Sequence, residues 1–352
     1  MSEQRSIRRI LVIRFSALGD ILLTLPALHL LREQSGVEIH YLTKENFVEV
    51  VKMSGAADQV HSISSHATLS ELKLKIIDLN VLGFDTVLDL HNNIRSRIVS
   101  SKLKSGRTRV LRITKHRILE ALLFIFRARM FQNFFETNRL SRLRESLSLV
   151  AQAMGGAEKA QNSEKATLQY LPELSSDLLS KLPDRSGKTV CVSMESAWKQ
   201  KEWEATKFRS LIERMAKRGF NIVLLGTQRK DFDLPKGVID FRGMTNIGQA
   251  AAVLKNAKLL ICNDSGLMHL AEAVGTPVVG IFGPTSREVG FSPRLQQSVM
   301  AEAALWCRPC SKTGRLCFRL TDRRKCLRLV EVQEVERRAV EVLELRHENM
   351  DL

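Results

Sequence analysis

The sequence predicts an α/β protein made of two doubly wound parallel-sheet domains that face each other across a central cleft. Three observations predict it. Short apolar runs alternate with helix-period segments between residues 10 and 90, and again between residues 190 and 282; such alternation implies βαβ units with helices on both faces of each sheet. A polar stretch over residues 155–188 interrupts the rhythm. The chain's 352 residues suffice for two domains of ordinary size.

In the first half, residues 10–13 (ILVI), 37–42, 60–63 and 86–90 read as buried strands, and residues 21–32 and 69–79 carry helical periodicity. In the second half, residues 190–194, 222–225, 259–262 and 277–282 read as strands. Residues 206–217 and 247–256 read as helices, and residues 330–345 as an amphipathic helix. The expected division is a first domain over 1–168, a linker over 169–188, a second domain over 189–329 and a terminal helical segment over 330–352. Ligands of such sheets bind beyond the carboxyl ends of the strands.

With 44% hydrophobic and 26% charged residues, the composition excludes a disordered chain. No apolar run approaches the ~18–20 residues of a membrane span. The run after Arg9 ends at Arg14, which argues against a secretory signal and for a soluble, cytoplasmic protein. The net charge of +16 favours polyanionic partners: nucleic acid, an anionic membrane surface or phosphorylated substrates. Between residues 91 and 144, fourteen Lys or Arg stand against Glu120 and Glu136, so most of the excess is local. That region lacks the interleaved aromatics that stack bases, which disfavours nucleic acid.

Three segments carry chemistry. Ser16-Ala17-Leu18-Gly19-Asp20 follows the first strand, and Asp20 reads either as a helix N-cap or as a cleft-edge carboxylate positioned as a general base. Asn263-Asp264-Ser265-Gly266-Leu267-Met268-His269 runs from a strand into a helix whose first N–H groups suit a diphosphate. There Asp264 either caps the helix or accepts sugar hydroxyls, and His269 either reaches a phosphate or is structural. In the third segment, Ser196 to Trp203, a lysine between two tryptophans either neutralises a leaving phosphate or is a surface residue beside core-anchoring rings.

Together these segments resemble glycosyltransferase family 9, the bacterial lipopolysaccharide heptosyltransferases. ILVIRFSALGDILLTLPAL matches the family's opening, and NDSGLMHLAEAVGTPVVGIFGPT its donor-site signature. The resemblance implies a GT-B fold of two Rossmann-like domains, with the acceptor on the first and the nucleotide sugar on the second. It also implies that the C-terminal helix packs back on the first domain. By the same resemblance Asp20 is the catalytic base and Lys201 the diphosphate ligand, with Ser196 near the phosphates. Met244 lines the adenine pocket, Asp264 contacts sugar or ribose, and Ser265, Gly266 and His269 surround the diphosphate. Gln228 stands where the family often has a ribose-binding Glu, and Arg95 falls in the acceptor-facing segment.

Of six cysteines, Cys191 and Cys262 lie in expected strands and read as buried packing residues. Cys307, Cys310, Cys317 and Cys326 cluster with spacers of two, six and eight residues. They read as a structural zinc site, or an iron site, or as reduced thiols without metal. Flanking basic residues would favour thiolates.

The combined expectation is an inverting, metal-independent transferase acting from ADP-heptose onto an anionic lipid A/core acceptor of the lipopolysaccharide inner core. It would work peripherally at the inner membrane and need no catalytic cofactor. The alternatives are a family 9 transferase with another nucleotide sugar or acceptor (a protein or other glycan) and, remotely, an RNA-binding module.

Overall fold

A computed structural model describes residues 8–34, 36–104, 106–114, 142–154, 167–182, 188–228, 233–310, 314, 317 and 319–348. They form two compact units, one from residues up to 114 with 142–170, the other from residue 171 onward. Of the basic segment, residues 115–141 lie outside the described residues. Arg95, Arg97, Lys102, Lys104, Arg107 and Arg109 are exposed. Among the described residues no helix is long and apolar enough to cross a membrane.

The first domain is a five-stranded parallel sheet of order β3-β2-β1-β4-β5. Its strands are β1 (Arg8–Ile13), β2 (Val37–Lys44), β3 (Gln59–Ile63), β4 (Thr86–Asp89) and β5 (Arg109–Arg112). Its helices are α1 (Leu18–Leu22), α2 (Leu25–Arg32), α3 (Val48–Ser54), α4 (Leu69–Val81), α5 (Ile94–Lys102) and α6 (Arg142–Ala153). α4 buries Leu72, Ile76 and Leu79, one stripe at helical spacing, against Leu11, Ile13, Leu42 and Val87 of the sheet. Thr68 and Glu71 close its start as a reciprocal capping box.

Two expectations need correction here. The single helix expected over residues 21–32 is two, because Pro26 has no N–H and its ring would meet the carbonyl of Leu22 in a continuous helix. The chain instead restarts at Thr24, whose hydroxyl donates to the Ile21 carbonyl at 2.6 Å. Strand β5 has no counterpart in the sequence reading; arginines flank its only two apolar residues, as suits a sheet edge.

The second domain is a six-stranded parallel sheet of order β11-β10-β9-β6-β7-β8. Its strands are β6 (Thr189–Ser193), β7 (Asn221–Leu224), β8 (Ile239–Asp240), β9 (Leu259–Asn263), β10 (Val278–Phe282) and β11 (Val299–Glu302). Its helices are α7 (Ser176–Lys181), α8 (Ala205–Lys217), α9 (Ile247–Lys255), α10 (Gly266–Ala273), α11 (Lys325–Arg328) and α12 (Val332–Glu348). α7 falls inside the expected linker. The first domain's last strap is earlier: Gln169 and Tyr170 both donate their N–H groups to the Met53 carbonyl, at 2.8 and 3.0 Å.

The C-terminal helix, α12, contributes to the core of the second domain. Its apolar stripe of Val335, Ala339 and Val342 is buried with Phe208, Leu211, Val279 and Ile281. Glu336 seals the contact by accepting from Arg214 and Arg218 of α8 at 2.5 and 2.7 Å.

The strand order reverses once in each sheet, between β1 and β4 in the first domain and between β6 and β9 in the second. Loops diverge at such a point and leave a crevice at the carboxyl ends of the strands.

On the far side of the first sheet, His40 and His61 stack with ring centroids 5.1 Å apart and share a 2.8 Å hydrogen bond. Glu38 accepts from His40 and from Arg9. Burial, with smaller contributions from His40 and Lys75, lowers His61 from 6.5 to about 4. The unfolded chain then binds the proton more readily than the folded one, so this contribution to stability is complete above about pH 6.5 and lost as the pH falls toward 4. Thermal melting should therefore show Tm declining from pH 7.5 to pH 5, and His61→Gln should flatten that slope.

Candidate functional site

In the first domain the site residues follow β1 and β4. Arg14, 4% exposed, donates to the carbonyls of Ser16 and Leu90, and its Nη2 lies 2.6 Å from Asp20 Oδ2. Asp20 is the third residue of α1 and not its N-cap, which is Ala17; its carboxylate lies 3.4 Å from the Ala17 N–H. The ion pair with Arg14 fixes which way the carboxylate points. After β4, the fully buried Asp89 accepts from the N–H groups of His91 and Asn92, at 3.1 and 2.7 Å, and from the Ser96 hydroxyl at 3.0 Å. This orders the turn into α5, whose second residue is the exposed Arg95. Asp20 and Arg95 thus open the two helices that follow β1 and β4, the strands flanking the point where the strand order reverses.

In the second domain the expected residues converge. Lys201, 8% exposed in a 3-10 turn (Lys199–Lys201), places Nζ 2.6 Å from Asp264 Oδ2, and Asp264 is 5% exposed. The same carboxylate oxygen accepts from the Thr285 hydroxyl at 2.6 Å, and Ser196 Oγ donates to the Asp264 carbonyl at 2.9 Å. The loops after β6, β9 and β10 are thereby tied together at the second sheet's reversal. Ser265 N-caps α10 in extended backbone without using its hydroxyl on the helix. The buried hydroxyls of Ser265 and Ser286 meet no hydrogen-bond partner among the described residues. Gly266 opens α10, where N–H groups lack helical acceptors, and His269 is buried on its fourth residue, 6.5 Å from the Phe291 ring.

Gln228 and Met244 lie farther along the same sheet end, after β7 and β8. Gln228 donates its backbone N–H to Glu195 at 3.0 Å. Met244 is 37% exposed and follows Gly243, whose N–H donates to the Gly226 carbonyl at 2.9 Å. Glu195 was not anticipated from the sequence. It also accepts from the Thr227 N–H and hydroxyl, at 2.8 and 2.7 Å, and a Cβ on Gly226 would sit 2.9 Å from its Oε1. The glycine beside the strand end was the available signal. Asn263 was missed too: it accepts from the Trp203 N–H and donates to the Met194 carbonyl. Trp203 itself is a core anchor, edge-on to Phe208.

The metal expectation is not met by the arrangement of the thiols. Among the described residues no three His, Cys, Asp or Glu side chains form a group that could hold a metal ion. Cys310 Sγ is turned to the Cys307 carbonyl at 3.1 Å, and Cys326, on α11, is packed into the apolar core. Burial raises the Cys326 thiol, Arg308 and the Leu327 N–H oppose it, and the nearby Cys307 and Cys317 raise it further. Cys191 and Cys262 are buried strand residues, both raised by desolvation.

The Lys201–Asp264 pair sets an expectation for stability. Removing one member of a buried ion pair costs ~3–5 kcal/mol, because the other charge is left in low dielectric. Asp264→Ala should lower second-domain stability by about that amount in urea unfolding. Ser265→Ala, which deletes a hydroxyl with no protein partner, should change it by less than ~0.5 kcal/mol.

Comparison with known proteins bears on what binds here. A family model described as glycosyltransferase family 9 (heptosyltransferase) matches residues 78–317. A lipopolysaccharide heptosyltransferase 1 from Pseudomonas aeruginosa is 26% identical over 327 residues, 86% of either chain. Among solved structures, a family 9 glycosyl transferase from Veillonella parvula aligns with a TM-score of 0.73 at 20% identity, covering 97% of this chain and 99% of its own. An Escherichia coli heptosyltransferase solved with ADP aligns with a TM-score of 0.66 at 19% identity, covering 95% and 99%. The fold is GT-B, with two Rossmann-like domains, and the chain belongs to glycosyltransferase family 9.

Proposed function

We propose that this glycosyltransferase moves a heptose from ADP-heptose to an anionic, lipid-linked acceptor of the lipopolysaccharide inner core, with inversion at the anomeric carbon. The observation that carries the reading is the Lys201–Asp264 pair beside the free hydroxyls of Ser265 and Ser286, at the sheet reversal of a family 9 chain. Support for the sugar and nucleotide comes from the Pseudomonas aeruginosa relative, named a lipopolysaccharide heptosyltransferase, and from the Escherichia coli structure solved with ADP.

The roles divide by domain. In the second, Lys201 and the N–H groups at the start of α10 would meet the diphosphate, with Ser196, Ser265 and His269 around it, and Met244 would line the adenine side. Asp264 would contact the sugar or ribose while holding Lys201. In the first, Asp20 would take the proton from the acceptor hydroxyl as that oxygen bonds to the anomeric carbon. The bond from that carbon to the diphosphate oxygen breaks, and its electron pair leaves with ADP. Base assistance of this kind contributes ~10²–10⁴-fold, and a preorganised cation at the leaving group adds to it. Arg95 and the exposed basic residues nearby would grip phosphate or carboxylate groups of the acceptor at the inner-membrane surface.

A panel of nucleotide sugars offered to purified protein tests the donor. ADP-heptose should be bound and turned over in preference to UDP- and GDP-sugars; equal use of another donor would favour the rival reading, which Gln228 in place of the family's Glu keeps open. Asp20→Asn should reduce turnover by ~10²-fold or more while ADP affinity stays near wild type. Retained turnover in the folded variant would remove Asp20 as the base.

For the acceptor, replacing Arg95, Arg97 and Lys102 together with Gln should raise acceptor KM and weaken binding to anionic vesicles at low salt. The effect should shrink as salt screens the charges. Unchanged KM and vesicle binding would reduce these residues to a solvated face.

A further inference from the structure

Arg308 stands between Cys307 and Pro309, among the basic residues of the cysteine cluster, where the sequence gives it no role beyond favouring thiolates. Its side chain is 7% exposed and its guanidinium meets four acceptors. Nε donates to the Gly283 carbonyl at 2.5 Å, Nη1 to Ala303 at 2.6 Å and Nη2 to Thr285 at 2.8 Å. Nη2 also pairs with the Glu302 carboxylate. Gly283 and Thr285 belong to the loop after β10, and the Thr285 hydroxyl donates to Asp264. A continuous run of hydrogen bonds therefore leads from Arg308 through Thr285 and Asp264 to Lys201.

Other described residues of the cysteine-bearing segment reach the loop after β10 and the turn that carries Lys201. Cys310 donates its N–H to the Pro284 carbonyl at 2.8 Å. Gly314, at φ +69, lies so near Lys201 that a Cβ there would be 2.8 Å from Lys201 Cγ. Arg324 Nη1 reaches toward the carbonyls of Lys199 and Glu202, on either side of Lys201, at 3.5 and 3.4 Å. Leu327 fills the space beside Gly283, where a Cβ would come within 2.6 Å of its Cγ.

We infer that Arg308 is a positioning residue for the nucleotide diphosphate. By clamping Gly283 and Thr285 it fixes the height of the Asp264 carboxylate, and hence where the Lys201 ammonium stands to receive an anion. A planar guanidinium with five donors can lock several backbone carbonyls at once, whereas a lysine presents its donors from one point and cannot span them. The inference rests on the reading of Lys201 and Asp264 as the diphosphate site.

The test is calorimetric ADP binding to the full chain carrying Arg308→Met, Arg308→Lys, Thr285→Val or Arg308→Met with Thr285→Val, each checked for folding by thermal melting. Displacing a positioned group by ~1 Å can cost ~10²-fold. Arg308→Met should accordingly raise the ADP Kd ~10–100-fold, with Arg308→Lys recovering part of the loss. Thr285→Val should weaken ADP comparably, and the double variant should be little worse than either single one, because all act along one chain of contacts. With the identified donor, KM should rise more than kcat falls, a split that general loss of structure would not give.

A folded Arg308→Met or Thr285→Val that binds ADP within twofold of wild type overturns the inference, as does additivity in the cycle. Should Arg308→Met not fold, the Lys and Thr285→Val variants decide the matter. Lys201→Ala separates the two levels. If it weakens ADP while the Arg308 variants do not, only this inference fails; if it leaves ADP affinity unchanged, the diphosphate reading itself fails.

Discussion

The second domain is organised around one ion pair. Lys201 and Asp264 are both nearly excluded from water, a state that costs several kcal/mol per charge unless each is matched by the other and by further hydrogen bonds. The Thr285 hydroxyl on the same carboxylate oxygen and the Ser196 hydroxyl on the Asp264 carbonyl provide that matching. Because these partners sit on three loops from three neighbouring strands, satisfying the pair forces the loops together. On the proposed reading, an anion arriving there would find a lysine already held in place, with ammonium protons left to give. The ordering of that side chain precedes binding, which is how preorganisation saves affinity.

The first domain solves a related problem with the signs exchanged. There the buried ion is Arg14, anchored by the Ser16 and Leu90 carbonyls, and Asp20 is its more exposed partner. In both domains the buried member is fixed by the chain's own groups at a sheet reversal. A guanidinium beside a carboxylate fixes the direction of Asp20, and a carboxylate beside an ammonium fixes that of Lys201. Opposite electrostatic needs are thus met by one construction on two similar sheets.

Much of this was legible in the sequence where the signal is local. Long apolar strands such as β1, β9 and β10 announce themselves by composition, and Asp264 to His269 lie within one strand-to-helix turn. The edge strands β5, β8 and β11 were not legible, because each is at most four residues long and none carries an apolar run longer than three residues. Nor was the break before Pro26 weighed against the strong apolar pattern around it. Partners far apart in sequence left no mark: Arg14 with Leu90, Glu195 with Thr227 and Arg308 with Gly283 all use backbone groups, which every residue carries alike.

The cysteines show the limit most clearly. Spacing alone can bring four sulfurs near one another, but whether they converge depends on where each Cβ points. Here α11 turns Cys326 into the core behind Trp203 and Leu327, and the turn at Cys307 lets Cys310 bond a carbonyl at 3.1 Å. Those choices follow from packing that also seats Leu327 against Gly283 and Arg308 beneath Thr285. A glycine at 283 is needed because Leu327 occupies the place of its side chain, and a small residue at 314 because Lys201 passes there. Among the described residues of this segment, Arg308, Cys310, Gly314, Arg324 and Leu327 all meet the loops that carry the ion pair, and that is what makes the brace matter.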